Sequence, residues 1–120
     1  MLQFLDFDRT EDIHGTAAWD AMASPAPHHT VALLEEVAAL FHRLHMEYGP
    51  PGPLDETHVW DCDLHIADSQ GTAVPWRWQG QTLVWNTPDH HLADTRITVS
   101  LSLTGDAAFT HTLEQDIAAE

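Results

Sequence analysis

Lysine is absent from this chain of 120 residues, and arginine occurs only at Arg9, Arg43, Arg77 and Arg96. Set against 19 Asp and Glu, that leaves a formal charge of −15. A nucleic-acid contact needs several cations to neutralise phosphates, so nucleic acid is not expected as a partner. An anionic membrane surface would repel such a chain, and no apolar run approaches the ~20 residues needed to cross a bilayer. Cysteine is represented by Cys62 alone, which excludes an internal disulfide and fits a reducing cytoplasm. The six glycines are scattered, and none lies between a strand and a helix at phosphate-loop spacing. Gly-x-Ser-x-Gly, His-Glu-x-x-His and Cys-x-x-Cys patterns are missing as well. Met1-Leu2-Gln3-Phe4-Leu5-Asp6 has no basic region and meets an acid at once, so a secretory signal is not expected there. An enzyme is therefore the weakest functional expectation.

What is present is an ordinary globular composition, with 43% hydrophobic and 19% charged residues. The length suits one domain, with a folded surface of roughly 6,500 Å² and a core that needs no staple. Fifteen alanines and no lysine point to a GC-rich bacterial genome. Ten histidines are the second compositional anomaly, since protonating all of them would bring the charge to −5.

Residues 2–8 are short and aromatic-rich, which predicts an edge strand, with Arg9-Thr10-Glu11-Asp12 as a polar turn. Apolar or small residues alternate from Ile13 to Ala23 and predict a second strand in a hairpin, although a short alanine-favoured helix over 16–23 competes. After the stiff Ser24-Pro25-Ala26-Pro27 loop, Thr30 is placed to cap a helix. Val31, Leu34, Val37, Ala38, Phe41, Leu44 and Tyr48 form its apolar stripe, and Gly49-Pro50-Pro51 ends it. Strands are expected at 60–67, 73–79, 82–86 and 97–103, and Asp106 should cap a closing helix with Phe109, Leu113 and Ile117 inward. The predicted fold class is α+β: a two-layer sandwich with a mainly antiparallel sheet and two helices on one face, loosely ferredoxin-like in outline.

Three constellations are candidates for function. Asp61, Asp63 and His65 share one strand face about 7 Å apart, which admits a divalent metal site but equally an ordinary wet face. His42 and His45 share a helix flank and raise the same metal question, and the doublets His28-His29 and His90-His91 fall in loops. Trp60, Trp76, Trp78 and Trp85 lie on three predicted strands of one sheet. With Trp19 they exceed what two helices need to cover, so one or two are expected at the surface. The leading expectation is a small acidic interaction module of inhibitor, immunity or adaptor type. It would bind a basic protein partner or form a homodimer through its last strand. The alternative is a binder of a small cationic or aromatic ligand in a tryptophan-lined pocket.

Overall fold

The computed structural model describes residues 3–13, 16–54, 58–80, 82–85 and 95–118, and its architecture is α+β. Strands β1 (Asp8–Glu11), β2 (Ala17–Ala23), β3 (Trp60–Ala67) and β6 (Thr98–Gly105) form one antiparallel sheet in the order β1-β2-β6-β3. Strands β4 (Trp76–Gln79) and β5 (Thr82–Trp85) pair only with each other, as a separate hairpin. Helix α1 (Thr30–Tyr48) follows a single 3-10 turn at Pro27–His29, and helix α2 (Ala107–Ala118) closes the fold. The resemblance to the ferredoxin-like outline is loose, because this chain starts with a hairpin and carries a second one outside the sheet.

Period two decides which sheet face is dry. Trp19, Ala21, Trp60, Leu64, Val99, Leu101 and Leu103 point to the core, and their strand neighbours point outward. Both helices cover that inner face. Trp60, fully buried, meets Phe41 of α1 at 6.4 Å between ring centroids and stacks on Phe109 of α2 at 5.9 Å. The total accessible surface is 6817 Å², close to the size scaling for this length.

The structure corrects several expectations. The strand predicted at 2–8 is displaced to Asp8–Glu11, the stretch read as a turn. Residues 3–5 are held instead by Glu36 of α1, whose carboxylate accepts the backbone N–H groups of Gln3, Phe4 and Leu5. Beyond β1, the Thr16 N–H donates to the Asp12 carboxylate at 3.0 Å. Ile13 is left 95% exposed there, outside the alternation assigned to it. Thr30 is not the helix cap: His29 occupies that position, and the buried Thr30 hydroxyl donates to the Thr95 carbonyl at 2.6 Å. Leu33 and Leu40 join the buried side of α1. The helix is covered by the sheet and by the β4–β5 hairpin, so its dry arc is wider than a single-sided stripe. The strand predicted over 73–79 is regular only from Trp76, with a lone bridge at Ala73. The last strand runs on to Gly105 and is central, with β2 on one side and β3 on the other. It therefore has no free edge for dimerisation. His14, Gly15, His90 and His91 and the side chain of Ile117 lie outside what the structure describes.

Strands β1 and β3 are the two edges of the sheet, and other parts of the chain engage the β3 edge. The carbonyls of Trp60, Leu64 and Ile66 accept from Gly52 N–H (3.0 Å), the Trp76 indole Nε1–H (3.3 Å) and Val74 N–H (2.8 Å). The Cys62 N–H donates to the Asp61 carboxylate at 2.8 Å. With these four groups engaged, the edge is a poorer template for another strand. At the opposite edge β1 reads Asp-Arg-Thr-Glu, fully exposed and charged.

Candidate functional site

No element covers the outer face of the four-stranded sheet among the described residues, so the side chains of that face form a readable lattice. Register places Asp8, Asp20, Ser102 and Asp63 in one row across all four strands. Thr10, Ala18, Thr104 and Asp61 make the row on one side, and Met22, Ser100 and His65 the row on the other. Within this lattice the Ser102 hydroxyl donates to Asp20 Oδ1 at 2.7 Å, and His65 Nε2 lies 3.2 Å from Asp63 Oδ1. Met22 is 70% exposed and sits beside the acidic row. Together with Asp6, the acidic row and the Met22–Ser100–His65 row bound a shallow depression of about 440 Å³.

All four arginines lie away from these rows. Arg9 is on the inner face over the Trp19 ring and pairs with Glu11 and Glu114. Arg43 meets Glu47 along α1, Arg77 is on the hairpin, and Arg96, at the margin, donates to the Ser24 carbonyl at 2.8 Å. The outer face consequently carries its carboxylates with no arginine among them. Asp8 and Asp20 stand directly opposite on neighbouring strands, an arrangement that costs stability on its own.

Of the sequence-selected carboxylates and histidine, Asp63 and His65 belong to this depression, while the Asp61 carboxylate turns back to the neighbouring Cys62 N–H. No group of three or more potential ligands is arranged to hold a metal ion among the described residues. His42 and His45 do not converge: His42 is exposed and His45 is buried. Cys62 lies on the inner side of β3, where burial first and then the charges of Asp61 and Asp63 push its thiol from an ordinary 9.0 up to about 12. It stays protonated at neutral pH and is a poor nucleophile.

The tryptophans lie on the other side of the molecule from the acidic rows. Trp19 and Trp60 are core residues, and Trp76, Trp78 and Trp85 are half-buried and packed against the core. The three on the hairpin belong to a separate sheet, so the idea of one tryptophan-rich sheet is corrected. The surplus of rings is explained by the third body they build against α1: Trp78 lies 5.2 Å from Phe41 and 4.4 Å from His45. Asp8 and Asp20 escaped the sequence reading, since neither lies in a recognisable pattern until register aligns it with Asp63. No described helix is long and apolar enough to cross a membrane. In comparison with known proteins, no family model, no curated protein and no solved structure matches this chain.

Proposed function

We propose that this chain is a small acidic interaction module whose bare outer sheet face docks a basic surface of a partner protein. The observation that carries this reading is the row Asp8–Asp20–Ser102–Asp63, which crosses all four strands on a face that no described element covers and contains no arginine. Carboxylates set side by side repel one another, and a cationic partner relieves that repulsion while gaining long-range attraction. A homodimer through the same faces would oppose two acidic rows, so charge complementarity favours a different, basic protein. Met22 and the apolar edges of the depression supply the dry contact that a purely ionic surface lacks. The single cysteine supports a cytoplasmic setting, and the alanine-rich, lysine-free composition supports a bacterial one.

The test is a titration of the isotopically labelled protein with a synthetic peptide of alternating lysine and threonine, followed by amide NMR at low and high salt. The expected result is shifts concentrated at Asp20, Asp63, His65 and Ser100, with affinity falling steeply as salt rises. Replacing Asp20 and Asp63 together by asparagine should abolish them. Shifts spread evenly over Glu35, Glu47 and Glu114 would instead mean unspecific attraction to net charge and would refute the assignment.

A further inference from the structure

A second concavity, of about 350 Å³, lies between the C-terminal end of α1, the Gly49-Pro50-Pro51 turn and the tip of the β4–β5 hairpin. Its volume falls within the range of small-molecule sites, and its walls are unlike the acidic face. Trp78, Pro50 and Pro51 supply flat apolar surfaces, and Gly49 and Gly80 supply backbone at positive φ where no side chain intrudes.

Among the described lining residues, His45 supplies the side-chain acceptor. His45 is only 9% exposed, yet it lines the concavity. Its Nδ1–H donates to the Phe41 carbonyl at 2.9 Å, and the ring is wedged edge-on to Trp60 and against Trp78, at centroid distances of 5.5 and 4.4 Å. Those contacts fix the ring's orientation. With Nδ1 carrying the proton, a neutral imidazole presents Nε2 as an acceptor. No partner for Nε2 is found among the described residues, so a largely buried ring holds an unpaired acceptor beside an indole and two proline rings.

We infer that this concavity binds a planar aromatic group bearing an N–H or O–H donor, which stacks against Trp78 and the prolines and donates to His45 Nε2. A free aromatic metabolite and an aromatic side chain of a partner protein share that chemistry. The site is separate from the acidic face, and neither reading depends on the other.

The experiment uses the full chain and two pairs of probes: indole against 1-methylindole, which loses the N–H donor and gains a methyl group, and phenol against toluene, which differ in the donor at nearly constant size. Binding is followed by NMR through the Trp78 indole N–H and the His45 ring nitrogens. The expected outcome is saturable indole binding with Kd between about 0.1 and 5 mM, and 1-methylindole weaker by about tenfold or more. His45→Leu should remove that preference while leaving toluene binding unchanged. Should this variant fail to fold, phenol against toluene on the unaltered chain provides the same comparison. Blocked tryptophan amide separates the sources: affinity equal to that of indole indicates a partner's side chain, and its exclusion indicates a free small molecule. Absence of saturation, equal affinity for the indole pair, or perturbations confined to residues outside the concavity would overturn the proposal.

Discussion

Replacing Gly105 by alanine should destabilise this protein far more than a single methyl group suggests. Gly105 ends β6 in the row Ala17–Gly105–Trp60, and Phe109 of α2 rests directly on it. A Cβ built on Gly105 would come within 2.0 Å of Phe109 Cδ1, 2.5 Å of Cγ and 2.9 Å of Cβ. Carbon atoms in contact sit about 3.5–4.0 Å apart, so a gap of about 1.5 Å must open. The ring has little freedom to turn aside, being stacked on Trp60 within 3° of parallel and pressed by Tyr48 at 4.8 Å. Its own Cβ is among the clashing atoms, so the relief must come from α2 lifting off the sheet. Overpacking of this kind costs about 2–3 kcal/mol, which for a domain of this size lowers Tm by about 10 °C. Urea and thermal melts of wild type, Gly105→Ala, Phe109→Ala and the double variant provide the assay. Phe109→Ala alone should cost about 3–5 kcal/mol, and in its background Gly105→Ala should cost at least about 1 kcal/mol less than in wild type, since the ring atoms are gone and only the Cβ contact at 2.9 Å remains. A Tm for Gly105→Ala within about 2 °C of wild type, or an equal penalty in both backgrounds, would refute this account of how α2 docks.

Two further outcomes follow from the outer face and from β3. Asp8→Asn removes one of two facing carboxylates and should stabilise the fold by about 0.5 kcal/mol at low salt, an effect that shrinks towards zero near 1 M salt. A salt-independent change, or a loss of stability, would show that the Asp8–Asp20 repulsion is not what register implies. Cys62 should resist iodoacetamide at pH 8 and react readily only after unfolding, as mass spectrometry of the alkylated protein would show. Its thiol ionises at about 12 in the fold against an ordinary 9.0, so the unfolded chain loses this proton first. Its contribution to stability is therefore complete below pH 9.0 and declines as pH rises towards 12, a trend that Cys62→Ala should flatten in pH-dependent melts.

Several elements were legible in the residues alone. Helix α1 announced itself through three- and four-residue apolar spacing and a Gly-Pro-Pro stop, and Gly49 indeed ends it at φ 79°. Asp106 caps α2 as expected, its carboxylate accepting the Phe109 N–H at 2.9 Å. The alternation in β3 and β6 separated inner from outer side chains correctly, since period two is a property of an extended chain and not of its neighbours.

Where the reading failed, the missing quantity was a long-range one. Residues 3–5 lack an alternation of their own, and they follow a carboxylate more than thirty residues away on Glu36. The position of β6 at the centre of the sheet, and of the tryptophan hairpin outside it, depends on which strands pair, and local pattern carries no information about that. Strand identity, helix identity and the acidic balance were set by composition and periodicity, both of which are local. The acidic row and the His45 concavity were decided by tertiary structure alone. Register brings Asp8, Asp20 and Asp63 together from three strands, and the packing of a hairpin on a helix sets one of ten histidines into the wall of a concavity.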